Sequence, residues 1–411
     1  MTRSYYYGYR IVAACFIIQI AGGGAFATYG LFFSDLQSEF GWSRAAISGA
    51  SSLATLLMGA ASILCGRLND RIGPRIVMVV SGLALGGGYL LMSRLGAVWH
   101  LYVAYGLLVG IGMSTQDVVT LSTIARWFIA RRGMMSGIVK VGTGVGQLLV
   151  PLAAATLIAI YGWRGAYVAI GLFVLLMLLV GARFLRRDPQ SAGLRPFTGR
   201  ESDAVPVPGG EVGLTLAAGV RTRQFWLVCL SEFTMSFCIM TTLVHLVNHA
   251  RDLGVAPAAA GALLSVIGAS SIAARFLLGS ASDVIGCRKA FSICFGMLFV
   301  GLLWLQTAAS LWMLVIYAIA DGFARGGNFV VISPLMAELF GTRAHGALFG
   351  LATFIGTIGG AVGPLLAGRI FDVTSSYSTA FILLSVLMGV GLAATLLLRP
   401  LVTGRTDPAS S

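Results

Sequence analysis

Six ionisable side chains stand inside long apolar runs of this 411-residue chain: Asp117, Lys140, Glu232, Arg275, Asp321 and Arg325. A charge in such a run costs ~2.5–3.5 kcal/mol on a membrane-insertion scale, so each is a functional candidate by default. Three are acids and three are bases, so the set can be neutral as a whole. Asp321 and Arg325 are four apart and can pair along one helix face. Asp117 and Lys140 lie on consecutive runs at similar depth by residue counting, which lets them meet. If both pairs form, Arg275 is the cation left over, unless Glu232 reaches it. A lone guanidinium in a low-dielectric cavity takes two carboxylate oxygens at once, and a buried carboxylate exchanges protons because burial favours its neutral acid. The chemistry on offer is anion binding and proton exchange.

The elements that must position these groups follow from composition. The chain is 57% hydrophobic and only 10% charged, where a soluble protein carries about a quarter charged residues. Its apolar residues fall into twelve stretches of roughly bilayer-spanning length, at 10–34, 45–65, 75–94, 98–125, 133–159, 165–185, 223–247, 257–280, 289–308, 311–338, 345–370 and 377–398. The expected fold is an all-α membrane protein of twelve transmembrane helices. The formal charge of +13 needs no nucleic-acid partner, because the basic residues sort by side. One side collects a long set that includes Arg3, Arg67, Arg71, Arg75, Arg126, Arg131, Arg200, Arg288, Lys289 and Arg405; the other has only Arg44, Arg94, Arg164, Arg251 and Arg369. That asymmetry puts both termini and the central loop in the cytoplasm of a cell with this chain in its inner (plasma) membrane. Cys15, Cys65, Cys229, Cys238, Cys287 and Cys294 show no paired spacing and read as reduced packing residues. Ala25-Phe26-Ala27 imitates a signal-cleavage site, but removing the first stretch leaves an odd number of helices.

The chain also repeats itself. Gly66-Arg67-x-x-Asp70-Arg71-x-Gly73-Pro74-Arg75 after the second stretch returns as Gly279-Ser280-x-x-Asp283-Val284-x-Gly286-Cys287-Arg288 after the eighth, and Gly133-x-x-x-Gly137 returns as Gly346-x-x-x-Gly350, both at an offset of 213 residues (Gly66 to Gly279, Gly133 to Gly346). The expected organisation is a six-helix half at 1–190, a polar loop at 191–214 and a second six-helix half at 215–411. Two parallel halves with this loop signature resemble the major facilitator superfamily over essentially the whole chain. The resemblance implies two pseudo-symmetric halves that rock about a midplane site, giving alternating access. The loop charges Asp70, Arg71, Arg75, Asp283, Arg288 and Lys289 are then gate candidates, able to hold helix ends of the opposite half in one state; the plainer reading keeps them as topogenic charges.

A second resemblance rests on Arg275, four residues before Gly279, with Tyr7-Gly8-Tyr9-Arg10 entering the first stretch and Phe128-x-x-Arg131-Arg132-x-x-x-x-Gly137 opening the fifth. These look like the monocarboxylate-porter branch and its oxalate/formate relatives, in which an Arg at this place on the eighth helix binds the substrate carboxylate. Related porters often carry an Asp one turn before that Arg; here Ser271 stands there, which moves the expected proton acceptor to Asp321 or Asp117, with Arg325 and Lys140 as their partners. The alternative has Arg275 tying helices together through carbonyls. Asn328, after Asp321-Gly322-Phe323-Ala324-Arg325-Gly326-Gly327, is expected in or near the cavity, or else as a packed amide beside packing glycines. Tyr29 is expected either to close one end of the cavity or to pack. His245 reads as a hydrogen-bonded interface residue and His249 as an outer-loop residue.

No nucleophile–base pair, metal cluster or Walker loop occurs, so neither an enzyme, a cofactor nor direct ATP-driven pumping is expected. The expected partners are a small organic anion, protons and the lipid bilayer, with the chain acting as a monomer. The rival is proton-driven efflux of drug-like molecules, whose carriers show an Arg in the fourth span and a Gly-Pro pair in the fifth; Gly106 and Val150-Pro151 stand there instead. Uptake of a larger anionic or aromatic nutrient, or of a vitamin, remains open.

Overall fold

The computed structural model describes residues 6–190, 193–198, 213–374, 376–399 and 401. Arg3, Arg200, Arg405 and most of the expected loop at 191–214 lie outside them. Eleven helical runs are long and apolar enough to cross a bilayer. One of these, Arg132–Phe184, has 53 residues, about 80 Å at 1.5 Å per residue, against a hydrocarbon layer of ~30 Å. It breaks at Gly162, where φ is 69°. A Cβ there would meet nothing, so it is the left-handed backbone that demands glycine and not crowding. Beyond the break the chain returns: the Tyr7 hydroxyl at the start of the first helix donates to the Phe184 carbonyl, while the Tyr6 ring packs on Phe128 just before Arg132.

The fold is thus all-helical, with twelve long helices: α1 (Gly8–Ala27), α2 (Arg44–Ile72), α3 (Pro74–Met92), α4 (Val98–Trp127), α5 (132–161), α6 (163–184), α7 (Arg223–Asp252), α8 (Pro257–Ile285), α9 (Cys287–Leu305), α10 (Leu311–Phe340), α11 (His345–Thr374) and α12 (Ser378–Leu396). The outer surface carries Val284, 86% exposed, and Leu365, 75% exposed, a face that suits lipid. Local chemistry sets the ends. Ser43 and Thr222 cap α2 and α7 by accepting the Ala46 and Phe225 amides. Gly73 (φ 88°) and Gly286 (φ 90°), again 213 apart, each turn the chain between two helices with a single residue.

The repeat is visible in packing. α2 crosses α11 where a Cβ on Gly66 or Gly350 would strike the carbonyl of Gly346 or Ser62; α8 crosses α5 where one on Gly279 or Gly137 would strike the carbonyl of Gly133 or Arg275. These equivalent seams join the two sets of six helices through small residues, as membrane helices do. The two ends of the central loop also dock alike. The Phe197 amide donates to the Trp127 carbonyl at 2.9 Å, and the Leu214 amide donates to the Phe340 carbonyl at 2.9 Å. The Tyr7-Gly8-Tyr9 and Phe128 stretches, distant in sequence, meet here: Tyr6, Tyr9, Phe128 and Phe197 form one ring cluster. α1 is integral to the bundle, its Gly22, Gly23 and Gly24 making room for Gln116, Thr143 and Val150.

Candidate functional site

Eight helices, four from each set, enclose a central cavity of about 370 Å³. α4 and α5 supply Asp117 and Lys140 to its wall, and Lys140 Nζ donates to Asp117 Oδ1 at 2.7 Å. Gln19 of α1 braces the same carboxylate at 3.0 Å, and its own oxygen accepts the Thr143 hydroxyl at 2.6 Å. The Lys140 ammonium also lies 5.2 Å from the centre of the Phe329 ring on α10, a cation–π contact across the two halves. Arg275, on α8, lines the cavity and is 5% exposed. Its Nη1 donates to the Lys140 carbonyl at 2.7 Å, its Nε has no partner, and it makes no ion pair among the described residues. It therefore does tie α8 to α5 through a carbonyl, and it also keeps donor capacity at the cavity wall.

The other expected site residues separate. Asp321 and Arg325 pair at 2.8 Å, but they are sealed away from the cavity wall. Arg325 also donates to the Ile239 carbonyl at 2.8 Å, and Asp321 accepts the Thr242 hydroxyl at 3.2 Å. Asn328 is buried on α10 behind the wall, beside the Glu232 carboxyl, and its Oδ1 has no partner. Tyr29 does not line the cavity. It stands in a short turn beyond α1, its hydroxyl bonded to the Ile47 carbonyl at 2.7 Å and its ring 4.0 Å from that of Tyr105. His245 is satisfied between the Tyr377 hydroxyl and the Pro364 carbonyl. His249, expected in a loop, is on α7, its ring edge-on to Phe381 at 4.8 Å, because α7 runs through to Asp252.

At one end of the bundle the repeated loop acids reach across the seams. Asp70 accepts the Gly346 and Ala347 amides at 3.1 and 3.0 Å, and Asp283 accepts the Gly133 and Met134 amides at 2.6 and 2.8 Å. Each carboxylate thus sits on the positive end of a helix of the opposite half, α11 or α5. The basic residues of the motif do otherwise. Arg71, Arg75 and Lys289 point outward and make no ion pair among the described residues, and Arg288 donates to the Leu398 carbonyl of its own half at 3.0 Å. Arg126, read in the sequence only as a topogenic charge, pairs with Asp70 at 2.5 Å.

A sequence signature described as the Major Facilitator Superfamily matches residues 15–249 and again 225–410. The chain belongs to the major facilitator superfamily. It is a multi-pass membrane protein, a secondary transporter of this superfamily and not an enzyme. Monocarboxylate transporter 13 of Rattus norvegicus is 29% identical over 394 residues, covering 95% of this chain and 89% of its relative. Monocarboxylate transporter 11 of Homo sapiens is 28% identical over 390 residues, covering 92% and 80%. Among solved structures of the superfamily, the proton:xylose symporter XylE superposes with a TM-score of 0.72 at 18% identity, over 95% of this chain and 94% of XylE; at that identity the likeness concerns the fold.

Two polar groups at this site carried no expectation in the sequence. Gln19 and Gln116 are amides inside apolar spans, a weaker form of the signal that singled out the charges. Gln116 lines the cavity with neither of its amide atoms bonded, in the room left by Gly22. Glu232, whose one expected part was to reach Arg275, lines the cavity with one carboxyl oxygen unpartnered and makes no ion pair among the described residues.

Proposed function

We propose that this transporter carries a small organic anion, most simply a monocarboxylate, together with protons across the inner membrane, as a monomer. Its halves, 1–190 and 215–411, rock about the central cavity, and the Asp70/Asp283 end faces the cytoplasm. The observation that carries this reading is Arg275: a buried guanidinium on the cavity wall whose neighbouring cation, Lys140, already has its carboxylate in contact, and which makes no ion pair among the described residues. Burying a charge without a partner is costly, and a carboxylate ligand removes that cost. The Asp117–Lys140 pair beside it completes an anion site that changes partners as substrate arrives, while Asp321–Arg325 stiffens α10 behind it. The near-full-length similarity to monocarboxylate transporters supports the same class. With both latches made, the cavity is shut toward the cytoplasm and the state is the one that loads from outside. A volume of about 370 Å³ is near the small end of ligand cavities, ~300–1,000 Å³, and favours a small solute over drug-like cargo.

Phe26, Phe329, Phe349, Met58 and Met240 on the walls favour one second reading, an aromatic carboxylate in place of a short one. Purified protein in liposomes, offered labelled lactate, formate, oxalate and an aromatic acid with and without an inward proton gradient, tests both. The expected result is uptake of a monocarboxylate, quickened by the gradient and cut at least about tenfold by Arg275→Gln. If no carboxylate moves, or if the substitution leaves uptake intact, the reading is wrong.

A further inference from the structure

The four ionisable groups on the cavity wall are unequal. Asp117 and Lys140 neutralise each other at contact distance, whereas Arg275 and Glu232 make no ion pair among the described residues, Arg275 feeling Asp117 only at longer range. Glu232 is 8% exposed on α7, and its Oε1 has no hydrogen-bond partner. Its surroundings hold no cation in pairing range. Its own helix offers the Cys229 thiol one turn back. α10 offers the Asn328 amide, with Arg325 already committed to Asp321. α11 faces it with Gly356, and its charged residues Arg369 and Asp372 lie at the far end. α12 carries no titratable residue between Ser378 and Leu396. Arg275 on α8, Lys140 and Asp117 share the cavity without an ion pair to it.

From this geometry we infer that Glu232 is the proton-carrying group of the transporter, in place of the expected Asp117 or Asp321, both of which are held by cations. The inference rests on the anion-carrier reading above. The proton bonds to a Glu232 carboxylate oxygen from the outer water, travels with the anion on Arg275 and leaves to water on the inner side; nothing is oxidised or reduced. Charge balance then couples the two cargoes. With both groups empty, Arg275 and ionised Glu232 sum to zero; with anion and proton both bound, the sum is again zero. Either cargo alone leaves a net charge in a low-dielectric core, which disfavours the rocking step. The Asn328 amide beside it is the polar neighbour that adjusts how readily the proton is taken.

The test uses the full chain in liposomes with the labelled monocarboxylate that the wild type accumulates. Glu232→Gln should lose gradient-driven accumulation by at least about tenfold, while anion-for-anion exchange, which needs no proton cycle, falls no more than about threefold. Accumulation that survives in Glu232→Gln overturns the inference. Exchange lost in step with accumulation also overturns it, since Glu232 would then hold substrate. Should Glu232→Gln fail to assemble, Asn328→Leu decides: removing the polar neighbour favours the protonated acid, so half-maximal uptake should move to higher pH, and an unmoved profile refutes the role. A wild type that carries the anion yet ignores the gradient dismisses proton coupling itself, before any variant is read.

Discussion

Asp117–Lys140 and Asp321–Arg325 are both one-to-one ion pairs inside the bundle, at 2.7 and 2.8 Å, yet they are built for different tasks. The Asp117 side chain is 35% exposed to the cavity, and its lysine also touches a ring of the opposite half. Asp321 is wholly buried, and both partners are bonded to α7 through Thr242 and Ile239. A pair at a wet wall is free to exchange partners with an incoming anion. A sealed pair fixes how α10 stands behind the wall. In the proposed function, position relative to the cavity, and not the charges themselves, divides substrate handling from scaffold.

The comparison breaks if the sealed pair is dispensable. Asp321→Asn strands a buried guanidinium, and the expected loss is about 3–5 kcal/mol of stability, read as a large fall in melting temperature of the detergent-purified protein; adding Arg325→Met should restore much of it. Lys140→Met should do the reverse. Asp117 keeps the Gln19 amide and its opening to the cavity, so the fall in melting temperature should be smaller than for Asp321→Asn, whereas anion uptake falls tenfold or more. A Lys140→Met protein that transports normally would put the Asp117 pair in the scaffold with the other. The latches give the smallest effect. Asp70→Asn loses the ion pair with Arg126 as well as part of the helix-end contact, so it should slow turnover a few-fold more than Asp283→Asn, which has only the two amides to lose. Equal effects would mean that Arg126 adds nothing to the gate.

The helices, the internal repeat and both ion pairs were legible because each leaves a mark in local sequence: an apolar run, an offset of 213, a charge where charges are expensive. The division between the pairs was not legible. Asp321 and Arg325 look like cavity residues on a linear chain, and only the approach of α7, through Ile239 and Thr242, seals them. Of the two readings of Tyr29, packing holds and cavity closure does not, for a similar reason. α1 ends at Ala27, and the following turn swings the ring onto Tyr105 and the hydroxyl onto Ile47. Ser62 and Arg275 occupy equivalent places in the two seams, and each bonds a carbonyl of the opposite half. The repeat therefore locates the helix crossing, and the departure from it marks the proposed anion site. Whether Glu232 reaches Arg275 was not legible, because an unpaired charge is defined by what is absent around it, which requires every neighbouring helix to be in place.

The central claim is that the lone cation on the wall is the anion's anchor. Isothermal titration of the transported carboxylate into purified wild-type, Arg275→Lys and Arg275→Gln protein tests it directly. The account predicts affinity weakened at least about tenfold by Lys, which lacks the planar fork, and about a hundredfold or more by Gln, in folded protein. Unchanged affinity in Arg275→Gln would leave Arg275 as a tie to the Lys140 carbonyl and nothing more.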